Sequence, residues 1–288
     1  MGAHVSVGYD GTPDSGDAVM WAAAEAVARE LPVRIVSCYP TAYVADPMGG
    51  LPPSEVYEVV RRATVTSLAT IEETVRGRHP GLAVTATVSG DPPQVALLAD
   101  VGPDDLLVVG ASRHHGAAAF WLGSTPRSVA RRSPCPVVVV PGGAKRGHPA
   151  SVIVGIDGSP ASDAALRWAC DEADLHRAEL VVVHAWDYPY AAVDLDGAQV
   201  RDLMCIDAAR VLETGVAEAR QRSGASVTDV LIEGSPPNAL LETARDGDLI
   251  VLGSRGRGAV AAGLFGSTVN AVLERASAPV VVVRHQRE

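Results

Sequence analysis

The sequence predicts an α/β fold: two tandem doubly wound domains, each with a five-stranded parallel sheet in the strand order 3-2-1-4-5. Three observations lead to this prediction: an internal repeat, an alternation of strand-like and helix-like segments, and short Val-rich runs without polar alternation. Such runs are typical of parallel strands buried on both faces. Strands that alternate with helices form right-handed βαβ units and hence a parallel sheet.

The repeat is read without gaps in two blocks. Residues 4–23 align on 151–170 with ten of twenty positions identical, and residues 110–140 align on 253–283. The offset falls from 147 to 143, so the second copy loses four residues net between the blocks. Two copies of one fold therefore make up the chain of 288 residues.

The Gly/Pro-rich segment PGGAKRGHPA, residues 141–150, joins the copies. We place a first domain at 1–143, a linker at 144–150 and a second domain at 151–288.

The elements of the second copy follow one another in a regular order. The predicted strands are SVIVGID, ELVVVHAW, SVTDVLIEG, DLIVLGS and PVVVVRH. The predicted helices are one in GSPASDAALRWACDEADLHR, one near 198–223, one opened by Ser235 and Pro236, and one from Ser267. Serine followed by proline is typical of an N-cap and the first helical position. The first copy repeats this order, with Asp91 and Pro92 as its cap and proline.

Composition excludes several classes of function. The chain has 34 acidic and 24 basic residues, a net charge of −10, which opposes binding to nucleic acid. Lys145 is the single lysine, so no Walker A loop can form and Schiff-base chemistry is disfavoured.

The cysteines form no CxxC pair and have no metal-ligand spacing, so we expect no metal site and a reducing compartment. Cys38, Cys135 and Cys170 lie in apolar segments and are predicted to be buried thiols. No signal region and no membrane span is apparent, which predicts a cytoplasmic protein without a membrane partner.

Two loops that carry glycines leave strand ends in each copy, one after strand one and one after strand four. Ligands of open parallel sheets bind beyond the carboxyl ends of the strands, where the strand order reverses. If both loops serve one ligand, strands one and four must be neighbours, which gives the order 3-2-1-4-5.

The second of these loops has the spacing Gly253-x2-Gly256-x9-Gly266-Ser267 in the second copy. Glycines allow a close approach of the backbone to an anion, and a helix that starts at Ser267 offers free N–H groups to a phosphate. Ser267 and Thr268 add hydroxyl donors. The alternative is that the glycines are ordinary turn residues and Ser267 only a cap; the full spacing favours the phosphate site.

The sequence resembles the universal stress proteins, specifically the tandem type, over essentially all of its length. Nucleotide-binding members carry G-x2-G-x9-G-(S/T), which the second copy matches completely, and a VGxDGSPxS loop, which matches Val154–Ser162. The resemblance implies that ATP, alone or with Mg²⁺, is the ligand. It implies that Asp157 and the Ala185 backbone hold adenine, with Asp10 and Cys38 as their counterparts, and that the glycine loop holds ribose and phosphates.

The candidate binding residues are therefore the strand ends and glycine loops of both copies. In the second copy they are Gly155, Asp157, Ala185, Gly253, Ser254, Arg255, Gly256, Arg257, Gly258, Gly266, Ser267 and Thr268. In the first copy they are Gly8, Asp10, Cys38, Gly110, Ala111, Ser112, Arg113, Gly116, Gly123, Ser124 and Thr125.

The first copy departs from the pattern at one position, because Arg113 replaces the second glycine. The guanidinium could add charge towards a triphosphate, or its bulk could close the pocket. We expect nucleotide binding in both copies and the tighter site in the second.

Three further features have simple interpretations. His114 and His115 are interpreted as loop residues beside the phosphate site rather than metal ligands. Trp21 and Trp168, which recur at one helical position, are interpreted as core residues between helix and sheet. The acidic turn of Asp104 and Asp105, matched by Asp248 alone, is interpreted as solvated.

Three functions compete. The resemblance implies a stress-response regulator that binds ATP, with no catalytic residue. A slow ATPase or a nucleotidyl or phosphoryl transferase is the alternative enzyme, but no lysine and no acid–base pair lies at the glycine loop. A scaffold without nucleotide is opposed by the complete motif of the second copy.

The apolar segments 136–140 and 279–283, both PVVVV, are predicted to be edge strands, and exposed apolar edges tend to pair. The resemblance implies that the two domains pair within the chain as a pseudo-dimer. A homodimer of chains is the weaker expectation.

Overall fold

The structure is a computed structural model, and it describes residues 2–39, 54–111, 123–144, 148–187, 197–256 and 265–285. The chain divides into two compact units, Met1–Arg146 and Gly147–Glu288. Among the described helices, none combines the length and the apolarity needed to cross a bilayer.

The first unit contains five strands and four helices within its described residues. In chain order they are β1 (Val5–Tyr9), α1 (Pro13–Ala28), β2 (Val33–Cys38), α2 (Ser54–Arg78), β3 (Val84–Ser89), α3 (Pro93–Leu98), β4 (Leu106–Ala111), α4 (Ser124–Arg132) and β5 (Val137–Pro141). The order across the sheet is β3-β2-β1-β4-β5, and all four pairings are parallel.

The second unit repeats this arrangement. Its described elements are β6 (Ser151–Gly155), α5 (Pro160–His176), β7 (Glu179–Trp186), α6 (Gly197–Arg222), β8 (Val227–Glu233), α7 (Pro236–Thr243), β9 (Leu249–Gly253), α8 (Ser267–Arg275) and β10 (Val280–Val283). The order β8-β7-β6-β9-β10, again parallel throughout, confirms the predicted strand order 3-2-1-4-5 in each unit. The long predicted helix begins and ends one residue earlier than expected.

Strands made almost entirely of aliphatic residues are buried, as their apolar runs predict. Every residue of β5 and of β10 is buried, and so are the first four residues of β9. Trp21 of α1 is 6% exposed and packs in the core as predicted, whereas Trp168, at the matching place in α5, is only partly buried.

Two helices start with well-formed caps. The hydroxyl of Thr12 accepts a hydrogen bond from the Ser15 N–H at the start of α1. Ser159 and Ser162 form a reciprocal capping box at the start of α5. In both helices a proline follows the cap, where its missing N–H and fixed φ cost nothing.

The cap predicted for the third helix of the first copy lies one residue too early. Pro92 is the N-cap and Pro93 the first helical residue, so Asp91 is outside α3. The Asp91 carboxylate instead accepts a hydrogen bond from the Ser89 hydroxyl at 2.9 Å. Ser235 does cap α7, but its side chain makes no capping hydrogen bond.

The acidic turn before the fourth strand is not solvated, and the prediction for it is wrong. Asp105 is 8% exposed and Asp248 is 6% exposed, while Asp104 alone faces solvent. The Asp105 carboxylate accepts the backbone N–H of His4 at 2.7 Å and lies 2.9 Å from the His4 Nδ1. Asp248 accepts the Arg245 N–H at 2.8 Å. These bonds replace water, which allows the carboxylates to be buried.

Candidate functional site

The two loops expected to share a ligand leave neighbouring strands in each unit. In the first unit β1 pairs with β4 in the register Val7 to Val108, and β2 flanks β1 on its other side. In the second unit β6 pairs with β9 in the register Gly155 to Leu252. The carboxyl ends of these strands therefore lie side by side at the point where the strand order reverses.

A cavity of about 180 Å³ opens at this point in the first unit. Residues from β1 and the loop after it, the start of α1, β2, α3, β4 and the start of α4 surround it. They are Gly8, Tyr9, Asp10, Ser15, Val36, Cys38, Pro93, Leu97, Val109, Gly110, Thr125 and Pro126. Five of the residues predicted from the sequence, Gly8, Asp10, Cys38, Gly110 and Thr125, are thus brought around one space.

Asp10 supplies the negative charge of the cavity. Its Oδ1 accepts hydrogen bonds from the Thr12 N–H at 3.0 Å and from the Thr12 hydroxyl at 2.6 Å. Burial raises the pKa of this carboxyl, but the hydrogen bonds from Ser15 and Thr12 outweigh burial, and the net pKa lies below its ordinary value. The group is therefore an ionised acceptor at neutral pH.

Cys38 closes the cavity at the end of β2. It is half-buried rather than fully buried, because it lies at the strand end that faces the cavity. Burial raises the pKa of its thiol, and the charge of Asp91 raises it further. At neutral pH the side chain is a neutral, weakly polar wall. The corresponding residue of the second unit is Ala185.

The first glycine of each glycine loop has a packing role. A Cβ on Gly110 would lie 3.1 Å from the backbone of Asp14, in the first turn of α1. A Cβ on Gly253 would lie 2.5 Å from the carbonyl oxygen of Ala161, in the first turn of α5. These glycines let β4 and β9 approach a helix start, independently of any ligand.

Gly256 is close to a side chain that is itself a candidate binding residue. A Cβ at this position would lie 2.4 Å from Oδ2 of Asp157. The other carboxylate oxygen of Asp157 accepts the Ser159 N–H at 3.0 Å. The glycine loop and the first loop of the second unit therefore meet at the Asp157 carboxylate, and any larger residue at 256 must displace it.

The helices that follow the glycine loops begin without side-chain caps. Gly123 is the N-cap of α4 and Gly266 that of α8, and neither helix has a side-chain hydrogen bond at its cap. Their first N–H groups lack the intrahelical partners that later turns have. These helix ends offer hydrogen-bond donors suited to an anion. Their hydroxyl donors are Ser124 and Thr125 in α4 and Ser267 and Thr268 in α8.

The corresponding residues of the second unit differ in side-chain size from those of the first unit at two positions. Leu252 stands where the first unit has Val109, and a Cβ on Gly155 would lie 2.9 Å from the Leu252 side chain. Ala185 is smaller than Cys38. The space at this edge of the second sheet is therefore narrower beside Gly155 and wider at the end of β7.

Several predicted positions fall outside the described residues: Ser112, Arg113, Gly116, Arg257 and Gly258, together with His114 and His115. Sequence patterns did not indicate the remaining cavity residues, which are Tyr9, Ser15, Val36, Pro93, Leu97, Val109 and Pro126. Their places in buried strands or in the turns of α1, α3 and α4 are shared with ordinary core residues, so no sequence signal sets them apart.

The fold defines a class: a tandem doubly wound α/β protein with glycine-bearing loops at the carboxyl edge of each sheet. The model of the universal stress protein family matches residues 1–141 and 150–284. The chain belongs to this family.

Curated relatives match nearly the whole chain. Universal stress protein Rv2005c of Mycobacterium tuberculosis (strain ATCC 25618 / H37Rv) is 30% identical over 287 residues, covering 97% of this chain and 96% of that protein. Universal stress protein Rv1996 of the same strain is 32% identical over 315 residues, covering 97% and 94%. A crystal structure of a universal stress protein from Archaeoglobus fulgidus DSM 4304 has a TM-score of 0.73 at 19% identity, covering 98% of both chains.

Proposed function

We propose that this chain is an adenine-nucleotide-binding module whose ligand is ATP, bound at the carboxyl edge of each sheet. The cavity of the first unit carries the proposal, because it gathers Asp10, Cys38, Gly110 and Thr125 around one space. Its volume of about 180 Å³ is below the roughly 300–1,000 Å³ of complete small-molecule pockets. The cavity therefore takes the base end of the nucleotide, and the phosphates extend over the glycine loop.

The chemistry of the cavity suits adenine. An ionised Asp10 only accepts hydrogen bonds, so it pairs with the exocyclic amine of adenine and disfavours the carbonyl of guanine. The apolar walls, formed by Val36, Leu97 and Val109, accept the faces of a purine. The uncapped N–H groups at the start of α4 lie beyond Gly110 and suit a phosphate.

The second unit supports the same assignment with its own residues. Asp157 replaces Asp10, Ala185 replaces Cys38 and α8 replaces α4. The complete glycine spacing, including Gly256, makes this unit the tighter site of the two. Mg²⁺, where present, would arrive with the phosphates, since the described residues of either loop include no carboxylate besides Asp10 and Asp157.

In this proposal the nucleotide regulates the protein and is not turned over. We assign no catalytic residue and interpret the chain as a stress-response regulator whose partners depend on its nucleotide state. The domain limits 1–143 and 151–288, the pairing of the two domains and a homodimer of chains stay predictions beside it.

Identification of any bound nucleotide tests the proposal. The purified protein is denatured by heat, and released nucleotides are identified by mass spectrometry and then titrated back by calorimetry. ATP released or rebound supports the proposal, whereas no nucleotide in either experiment contradicts it. A timed ATP turnover assay distinguishes the module from a slow ATPase, which would release phosphate over repeated cycles.

A further inference from the structure

His184 is a buried histidine of β7 that none of the motifs includes. It is 8% exposed, and its Nδ1 lies 2.7 Å from the carbonyl oxygen of Ile156. A carbonyl oxygen can only accept a hydrogen bond, so Nδ1 must carry a proton and donate it. The histidine is therefore held as a donor towards the segment that leaves β6.

Ile156 immediately precedes Asp157, and β7 holds both of its backbone polar groups. Its N–H donates to the carbonyl oxygen of Val183 at 2.9 Å, and its carbonyl accepts the His184 hydrogen bond. Gly155 and Val183 are the last backbone pair of the two strands. The His184 side chain thus provides the next hydrogen bond after the ladder ends, and it orients the peptide group that leads into Asp157.

The contacts continue from Asp157 to the glycine loop. One carboxylate oxygen of Asp157 accepts the Ser159 N–H at 3.0 Å. The other is so close to Gly256 that a Cβ there would lie 2.4 Å away. A change in the direction of the peptide between residues 156 and 157 would therefore move the carboxylate relative to both neighbours.

His184 acts from the far side of the sheet. Successive side chains of a strand point to opposite faces. Val183 and Ala185 correspond to Val36 and Cys38, which line the cavity of the first unit. His184 lies between them on β7 and so faces away from the nucleotide position, and its effect must pass through Ile156.

The first unit anchors its loop differently. Ser37 stands at the position of His184, and Tyr9 stands at that of Ile156. The Tyr9 hydroxyl lies 3.0 Å from the hydroxyl of Ser67 in α2. The histidine contact is thus a property of the second unit, and the first unit serves as its internal control.

We propose that His184 is a positioning residue for the adenine end of the second nucleotide site. Its Nδ1–H holds the Ile156 carbonyl and thereby sets the direction in which the Asp157 carboxylate meets the base. The inference rests on the proposed function and adds a residue that controls base selectivity in one unit only.

The test compares two amide variants of the full chain. His184→Asn keeps an N–H donor near the position of Nδ1, whereas His184→Gln places its amide near Nε2 and leaves the Ile156 carbonyl without a donor. ATP and GTP affinities at each site are measured by calorimetry. We expect His184→Gln to weaken ATP at the second site at least tenfold and to lower the ATP-to-GTP preference there. His184→Asn should stay within threefold of the wild type, with the first site unchanged in both.

The outcomes separate this inference from the proposed function. A wild-type second site that binds no nucleotide overturns both. A wild-type site that binds ATP, with the same preference for ATP over GTP in His184→Gln, overturns the positioning role alone. A general loss of packing would weaken ATP and GTP equally, which also counts against it.

If His184→Gln does not fold, nitrogen NMR of the wild-type histidine side chains tests the inference by showing whether the His184 Nδ1 carries a proton. A protonated Nδ1 on His184 is expected. An Nδ1 without a proton would overturn the inference.

Discussion

At the scale of single residues, we expect the two aspartates that follow the first strand of each unit, Asp10 and Asp157, to select adenine over guanine. The Asp157 carboxylate accepts the Ser159 N–H and lies where a Cβ on residue 256 would meet it. Removal of the carboxylate leaves an adenine amine without its acceptor. Asp157→Ala should therefore weaken ATP binding at the second site by about 1–3 kcal/mol, measured by calorimetry.

The control for this change is Asp202→Ala, which removes an exposed carboxylate from α6. This variant should bind ATP as the wild type does. GTP should bind poorly to the wild type, because guanine has a carbonyl where adenine has an amine. Equal affinity of the wild type for ATP and GTP would contradict the role given to Asp157.

The second residue-scale prediction concerns the difference between Gly256 and Arg113. A side chain at 256 must displace the Asp157 carboxylate, since its Cβ would lie 2.4 Å from Oδ2. Gly256→Arg should weaken the second site about tenfold, which corresponds to about 1.4 kcal/mol, and Arg113→Gly should strengthen the first site. Calorimetry of both variants ranks the sites. Two sites of equal affinity, unmoved by either substitution, would show that this glycine does not matter for binding.

Cys38 gives a chemical probe of the first site. Burial raises the pKa of this thiol, so alkylation should be slow at pH 7 and become faster as the pH rises. Saturating ATP should protect Cys38 from iodoacetamide, because the thiol lines the cavity that we propose for the base. Mass mapping of the modified peptides reports the extent of protection.

The other cysteines of the chain calibrate that experiment. Cys205 is half-exposed in α6 and should react equally with and without ATP. Burial raises the pKa of Cys135 and of Cys170 to about 11, so both should stay unmodified. Unchanged reaction of Cys38 in saturating ATP would mean that no nucleotide reaches the end of β2.

At the scale of elements, the cap of α5 stabilises both the helix and the first loop of the second unit. The Ser159 hydroxyl accepts the Ser162 N–H, and the Ser159 N–H donates to Asp157. Ser159→Ala should lower the free energy of unfolding by about 1 kcal/mol, the usual cost of a lost cap. Ser235→Ala is the matched control, because the cap of α7 makes no side-chain hydrogen bond. Urea denaturation should show a clear loss for the first variant and little for the second.

The elements themselves were predictable because each depends on local pattern. Val-rich runs such as those of β5 and β10 predict buried strands, and Ser or Thr followed by proline predicts a helix start. The Asp91 cap was misplaced because two prolines in succession, Pro92 and Pro93, both fit the first turn. Local spacing alone does not say which of them lies inside α3.

The side-chain contacts that define the site were harder to predict, because they join distant segments. The sequence predicts a solvated Asp105, yet its partner His4 lies 101 residues away along the chain. The contact of His184 with Ile156 spans 28 residues and involves a backbone carbonyl, which no side-chain motif encodes. The glycine spacing indicated where a ligand would bind, but not that Gly253 also packs against α5.

At the scale of the whole molecule, two copies of one fold predict two nucleotides per chain. Each unit has its own strand-one aspartate, so each site can be removed separately. Native mass spectrometry at an ATP concentration close to the wild-type Kd should show two nucleotides on part of the wild-type population and a clear loss of occupancy at one site in Asp10→Ala or Asp157→Ala. The double variant should have the lowest occupancy at both sites.

The same two sites should make stability depend on ATP, because a ligand that binds only the folded state stabilises it. At a free concentration 100 times the Kd, one site contributes about 2.7 kcal/mol. Scanning calorimetry of the wild type should therefore show ATP raising the transition temperature, with a smaller effect in each single variant and the smallest effect in the double variant. GTP, added at the same concentration, serves as the control for nonspecific stabilisation by polyanions. A double variant that ATP still stabilises as much as the wild type would place the binding elsewhere on the chain, away from both aspartates.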